Sequence, residues 1–331
     1  MIKKILFIIV LCAATLASAQ NANLGTSGAQ FLQIGVGAKS AALGGAYVAL
    51  AQDAASLFWN PAGIASLPHQ SVYFAHTPWR ASIQLNSAAY ALRVKDLGSF
   101  GAAVTVLSMD RMEVTTEYAP EGTGEFFDAQ YLMMSLSFAR PLNDRFNVGL
   151  TAKYIQQKIW NESASGVAFD VGTQYRLWFN NAVIGMSLTN FGGDIRFDGR
   201  DLSYRFDTDT GLPDNRLAPS KLETEAYPLP LHFQVGLALD VMRSGNFAWR
   251  LTADVTHPND NSERVNFGSE VALFERAFLR GGYRYNYDDE DVSLGFGLAW
   301  PVTNGNLAID YAYSRHDLLA DVHRFAVGLS F

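Results

Sequence analysis

The chain ends on HRFAVGLSF, residues 323–331. In an extended backbone Phe325, Val327, Leu329 and Phe331 share one face, and Arg324, Ala326, Gly328 and Ser330 share the other, because side chains alternate across a strand. The alternation runs to the final residue, and that residue is aromatic. A soluble protein rarely ends this way. The last strand of a bacterial outer-membrane barrel does, because it closes the barrel while its outer face still meets lipid. Phe325, Val327, Leu329 and Phe331 are therefore read as a barrel-closing signal, which predicts similar strands upstream.

The amino terminus agrees with that compartment. Lys3 and Lys4 precede an apolar run, Ile5 to Ala14, and a small-residue site, Ala17-Ser18-Ala19, before Gln20. This is the pattern of a secretory signal peptide, residues 1–19, too short for a stable membrane anchor. Cys12, the one cysteine, lies inside it, and Leu11 before it is not the small residue a lipobox needs. A chain beginning at Gln20 has no thiol, so disulfides and cysteine metal sites are excluded. Losing Lys3 and Lys4 takes the net charge from -7 to -9, which argues against a nucleic-acid partner. Hydrophobic residues make up 49% of the chain, yet beyond the signal no apolar run approaches the roughly twenty residues of a membrane helix. Apolar content spread over alternate positions suits a transmembrane β-barrel.

From about residue 70 the chain divides into alternating segments. The pattern predicts strands at 70–77, 82–94, 97–109, 128–140, 145–159, 165–177, 181–192, 229–242, 246–257, 264–274, 277–288, 291–301, 305–315 and 322–331. About fourteen strands is an even number, as single-chain bacterial barrels require. In 82–94 the alternation slips between Leu85 and Tyr90, for which a bulge is the expected remedy. Connection lengths test the count. Every second connection is short, as at Lys95-Asp96 and Glu275-Arg276, and these are assigned to the periplasm. The long ones, 110–127 and 193–228, both fall on the opposite, extracellular side. Trp178, Trp249 and Trp300 are placed at the periplasmic rim, and Trp79 and Trp160 at the extracellular rim, where amphipathic rings favour the membrane boundary. A soluble β-sandwich, the competing fold, would not sort tryptophans to strand ends. The inward positions carry Lys153, Asp170, Arg176, Asp240, Arg250, Asp254, Glu270, Arg280, Arg284, Asp310 and Arg324. The near balance of sign predicts paired charges across a narrow, filled interior rather than an ion filter of one sign.

Residues 20–69 do not alternate. They are rich in Ala and Gly, with a weak helical stretch around Ala41 to Asp53. They read either as a leader strand or loop, or as a plug in the barrel mouth, with the barrel proper at 70–331. Small residues pack closely, and Asn60-Pro61-Ala62-Gly63 makes a tight turn, which favours the plug. The run Gly44-Gly45-Ala46-Tyr47-Val48-Ala49, then Asp53-Ala54, then Trp59-Asn60-Pro61-Ala62-Gly63 resembles the PorV/PorQ family of outer-membrane proteins, within the FadL-like barrel superfamily. The motif covers about thirty residues, and the rest of the chain matches in architecture alone. The resemblance implies an all-β, FadL-like transmembrane antiparallel barrel with an amino-terminal plug, in the cell outer membrane. It implies a part in type IX secretion, with secretion proteins or cargo C-terminal domains as partners beside outer-membrane lipids and lipopolysaccharide. The chain is somewhat short for PorV itself, which leaves a PorQ-like protein or a paralogue equally open.

Catalytic chemistry has no constellation here. None of the six histidines pairs at metal-ligand spacing, no serine carries a nucleophile motif, and no phosphate-cradling loop follows a strand. The expectation is no enzyme, no cofactor and no metal. Asp288, Asp289, Glu290 and Asp291 form an acidic outer tip that reads more readily as a solvated turn than as a Ca²⁺ site, since EF-hand spacing is missing. The outer loop from Gly193 to Pro228 mixes charge with aromatics, and Tyr204, Phe206 and Arg216 are its candidate partner contacts. A solvated loop explains it equally well. Two functions remain: a secretion-partner barrel, and a FadL-like conduit for long-chain fatty acids or other hydrophobic compounds, in which Leu43, Tyr47, Val48, Leu50, Leu57 and Phe58 line the pocket.

Overall fold

The computed structural model describes residues 24–206, 218–303 and 305–331. The expected signal peptide and Arg216 lie outside the described residues. Fourteen long strands form one antiparallel sheet: β1 (Gln70–Pro78), β2 (Ile83–Val94), β3 (Gly98–Met109), β4 (Ala129–Asn143), β5 (Phe146–Ile159), β6 (Glu162–Arg176), β7 (Val183–Gly192), β8 (His232–Ser244), β9 (Phe247–Pro258), β10 (Arg264–Leu273), β11 (Ala277–Tyr285), β12 (Glu290–Val302), β13 (Gly305–His316) and β14 (Val322–Ser330). Each pairs with its sequence neighbour, and β1 pairs with β14 from Ser71–Ser330 to His76–Phe325. The terminal residue completes the closure: Gln70 and Phe331 exchange backbone N–H to carbonyl bonds of 2.9 and 3.0 Å. Closure leaves no unpaired edge, the condition for a sheet that sits in hydrocarbon.

Alternation sets the two faces. On β14, Phe325 and Val327 are exposed on the outside, while Arg324 is 1% exposed and Ala326 is buried inside. The expected slip in β2 is absent. Its register with β1 and β3 is continuous, with Leu85, Ser87, Ala89 and Ala91 all inward and Tyr90 outward. The irregular hydropathy arose because the inward positions are small, not because the strand bulges. Short turns gather at one end of the barrel, and the 110–128 and 193–231 connections at the other. Trp178 and Trp300 are strongly exposed at the short-turn end. Trp79 departs from its expected rim position. It lies at the long-loop end, but its ring turns inward, under the guanidinium of Arg324 (5.6 Å) and edge-on to His316.

Residues 24–69 lie inside the barrel. The segment starts at the long-loop end, where Gly28 N–H donates to Pro228 O at 2.9 Å. It ends at the short-turn end, where Arg93 donates to Leu67 O at 3.1 Å and Asn147 to Ser66 Oγ at 3.0 Å. On the way it makes short helical pieces only: 3₁₀ turns at Gln30–Gln33, Ala54–Phe58 and Pro61–Ser66, and a short α-helix, α1 (Ala38–Ala42).

Candidate functional site

The Asn60-Pro61-Ala62-Gly63 turn is built by its own chemistry. Asn60 caps the 3₁₀ turn, its Oδ1 accepting from Ala62 N–H at 3.2 Å, and Pro61 occupies the first helical position, where no N–H is needed. The other half of the amide faces outward. Asn60 Nδ2 donates to Val48 O and to Thr173 O, both at 3.0 Å. One side chain thus caps a turn, ties the inner segment to itself and fixes it to β6. Asp53 caps the preceding turn by accepting from Ala55 N–H at 2.9 Å.

The wall is shaped to receive that turn. A Cβ on Gly172 would sit 2.1 Å from Asn60 Oδ1, and one on Gly149 would sit 2.5 Å from Ala62 N, so neither position admits a side chain. Around them Ala89, Ala91, Ala103 and Ala139 face Leu57, Ile64 and Ala65 in one buried cluster. The Pro61–Ser66 turn packs on β2–β6, and α1 packs on β11–β14.

Polar wall residues complete the seating. Asp254 Oδ2 accepts from Tyr47 N–H at 2.8 Å, Val48 N–H at 3.0 Å and Gln234 Nε2 at 2.9 Å. Gln174 donates to Ala51 O at 2.7 Å, and Arg284 Nε to Gly44 O at 3.0 Å. Asp254 therefore corrects the expectation that inward charges pair with one another. Its partners are two backbone amides and the Gln234 side chain, and sequence spacing cannot reveal the amides.

Most other inward charges do pair. Arg280 bridges Glu270 at 2.7 Å and Asp310 at 2.5 Å, and Arg250 bridges Asp240 at 2.8 Å and Glu270 at 3.5 Å. The result is one ladder, Asp240–Arg250–Glu270–Arg280–Asp310, running around β8 to β13. It crosses β12 over Gly297, where a Cβ would sit 2.2 Å from the Asp310 carboxylate. Lys153 pairs with Asp170 at 2.7 Å, and Arg284 with Glu290. Arg176 departs from the pattern: it is exposed at the short-turn rim.

The apolar lining expected of a conduit is mostly sealed. Leu43, Tyr47, Val48, Leu50 and Leu57 are buried in packing, and of the six only Phe58 borders the cavity near the long-loop end.

Two short ladders form at the long-loop end. Ile195-Arg196 pairs with Ala226-Tyr227, and Ser203–Phe206 pairs with Ala218–Lys221. Tyr204 is exposed on the second of these ladders, and Phe206 closes it opposite Ala218. Arg216 lies outside the described residues. The acidic tip is corrected in part. Asp289 accepts from Arg80 at 2.9 Å, His316 Nδ1 at 3.1 Å and Leu318 N–H at 2.7 Å, and Glu290 engages Arg284. The Leu318 N–H, with His316 and Arg80, holds the Asp289 carboxyl below the usual carboxylate range. Arg80 carries no sequence signal for this role, because closure of the barrel alone brings β1 beside β14, whereas His316 reaches the tip through the β12–β13 pairing, opposite Glu290.

Comparison with known proteins comes at two levels. No curated protein matches the sequence. Among solved structures, the CymD monoaromatic hydrocarbon channel superposes with a TM-score of 0.57 at 12% identity, over 90% of this chain and 98% of that one. The Pseudomonas putida toluene transporter TodX gives 0.57 at 13%, over 90% and 99%. The Ralstonia pickettii toluene transporter TbuX gives 0.57 at 12%, over 89% and 97%. At such identities the likeness is one of fold alone, a closed antiparallel β-barrel of fourteen long strands. In sequence, the family model "Type IX secretion system protein PorV" matches residues 17–199. That stretch holds the Asn60 turn, the Gly149 and Gly172 wall that receives it, and more than half of the protein, and by it the chain belongs to the PorV family.

Proposed function

We propose that this protein is a non-enzymatic outer-membrane component of type IX secretion, which binds a translocon subunit or a cargo C-terminal domain at its long-loop end. The family match over residues 17–199 carries the reading. In it, residues 1–19 are a removed signal and residues 20–69 a fixed plug, held by Asn60, Asp254 and Gln174. The barrel presents its long-loop end to the partner. Tyr118 is 94% exposed there and Leu318 79%, apolar groups of the kind that anchor protein interfaces. Tyr204 and its ladder contribute to the same surface. Lipid and lipopolysaccharide surround the outward apolar faces.

Affinity capture of the tagged chain from native outer membrane tests this. Type IX components are expected to co-purify under gentle solubilisation, and Tyr118→Ala with Leu318→Ser is expected to reduce the yield. Repeated captures that recover none of them would overturn the reading. The fold likeness to hydrocarbon channels favours a second reading, a conduit for hydrophobic compounds. Uptake of a labelled long-chain fatty acid by expressing cells, compared with an empty vector, separates the two. The sealed packing of Leu43, Tyr47 and Leu57 weighs against such uptake.

A further inference from the structure

The two ends of the barrel differ in charge. At the long-loop end the 110–128 connection alone holds six carboxylates, from Asp110 to Asp128, against Arg111. At the short-turn end, beside the point where the inner segment leaves the lumen, lies a recess of about 470 Å³. It opens between residues 52 and 65–66 of that segment and the ends of β2, β4, β5, β6 and β7. Arg93, Arg145 and Arg176 line it, and Asp144 is the one carboxylate in its lining. In a chain of net charge -7, three cations against one carboxylate make a local excess of two positive charges.

Local structure places the three cations together. Arg93 donates through Nη1 to Leu67 O at 3.1 Å. Asn143 Oδ1 accepts from Arg145 N–H at 2.9 Å and shapes the β4–β5 turn. Arg176 N–H donates to Arg145 O at 2.8 Å, which sets two arginines opposite one another where β5 and β6 end. Like charges so placed are destabilising. Among the described residues no carboxylate forms an ion pair with any of the three. Lipid headgroups are not their partners either. Strand alternation puts Arg93 and Arg176 on the lumen side, with buried Ala91 and Gln174, whereas Arg140, next to inward Ala139, points outward. A concave surface with an excess of one sign focuses its field, and guanidinium groups take carboxylates in pairs of parallel hydrogen bonds. The amides of Gln52 and Asn147 border the same space and suit a peptide backbone. At about 10–15 Å³ for each water-sized group, the volume admits roughly thirty to forty-five non-hydrogen atoms, about four residues of peptide. A second copy of this chain does not supply the occupant, since its own carboxylate-rich connection lies at the other end of the barrel, across the membrane.

We propose that this recess docks a short acidic peptide segment of a periplasmic protein, its carboxylates on Arg145, Arg176 and Arg93. It is a second contact, at the end opposite the one assigned to the secretion partner. It rests on the orientation of the barrel in the outer membrane and not on the secretion role.

Fluorescein-labelled tetraglutamate is the probe. The full chain is purified folded and placed in nanodiscs of zwitterionic lipid, which leave both ends of the barrel open, and fluorescence anisotropy is followed. Saturable binding is expected, at least about tenfold tighter than that of labelled tetraglutamine, and weaker as salt is raised, because the arginines are reached by solvent. Arg145→Glu and Arg176→Glu, both at exposed positions, are each expected to weaken tetraglutamate about tenfold while the barrel keeps its heat-resistant folded form on gels. Arg276→Glu makes the same change of charge at an exposed position on the β10–β11 turn, on the far half of the same rim. It is expected to leave the affinity within about twofold, since screening confines the effect to nearby charges. The proposal is overturned by any of four results: tetraglutamine binding as tightly as tetraglutamate, inorganic phosphate displacing the peptide at equal concentration, Arg276→Glu weakening it as much as Arg145→Glu and Arg176→Glu do, or no saturable binding.

Discussion

The two halves of the barrel wall treat the inner segment differently. On β1–β7 the wall is small and nearly neutral, with Ala89, Ala91, Ala103, Ala139, Gly149 and Gly172 pressed against residues 54–66, and one buried ion pair, Lys153–Asp170. On β8–β14 the wall carries the five-member charge ladder, Asp254 on two backbone amides, and Arg324. The first half presses small residues on its occupant and adds the Gln174 bond to Ala51 O, whereas the second adds glycine seats of its own, Gly282 and Gly295 against residues 42–44, to the bonds from Asp254 and Arg284 and alone carries the ladder. The family match, ending at residue 199, covers the inner segment and β1–β7.

Four measurements break or sharpen that contrast. Gly172→Leu should act most strongly, because its side chain would enter the space of Asn60 and Pro61. We expect a loss on the order of 4 kcal/mol in urea unfolding from lipid, with the inner segment becoming protease-sensitive while the barrel persists. An unfolding midpoint equal to wild type would show that shape is not what holds this half. Glu270→Gln attacks the other half, leaving Arg280 and Arg250 with one carboxylate fewer. The expected cost is about 3 kcal/mol, the range for one-sided removal from a buried pair, and restoration by a second change that also removes Arg280 would confirm the ladder. If the single change is neutral, the ladder is ornamental to stability. Asn60→Ala should cost about 2 kcal/mol, from a lost cap and two carbonyls left without their donor. Asn60→Asp, which sets a carboxylate oxygen against the Val48 and Thr173 carbonyls, should cost more than alanine, and equality of Asp and Asn would contradict the assigned bonds.

The smallest effect is one of pH. Asp289 titrates below its unfolded value, so its contribution is present above about pH 4, the ordinary range of an aspartate, and is lost as the pH falls through the folded value. Loop protection around Leu318 in hydrogen exchange is therefore expected to decline only below that pH. Loss of protection on raising the pH instead would reverse the sign and remove Asp289 as the anchor.

The barrel was legible in the sequence because its two determinants are local. Period-two alternation marks each strand, and the parity of short and long connections orders them. Both survive boundary errors of a few residues: β4 runs to Asn143 rather than 140, and β6 starts at Glu162 rather than 165. The Asn60-Pro61 turn was equally legible, since a cap and a first-turn proline are near-neighbour effects. The seat of that turn was not. Gly149 and Gly172 look like any strand glycines until Ala62 and Asn60 arrive against them, about a hundred residues away in sequence. The apparent slip in β2 has the same origin, small inward residues selected by an occupant that hydropathy does not register.

By itself, then, the sequence determined strand number, which side chains face out, and closure on Phe331, because each follows from alternation and from the need to leave no backbone group unpaired in lipid. Tertiary structure alone decided what fills the interior. It gave Asp254 to two backbone amides and Gln234, brought Arg80 to Asp289 across the β1–β14 seam, and turned Trp79 inward. Those choices depend on which residues meet across the lumen, and that distance is set by closing the barrel, not by any interval along the chain.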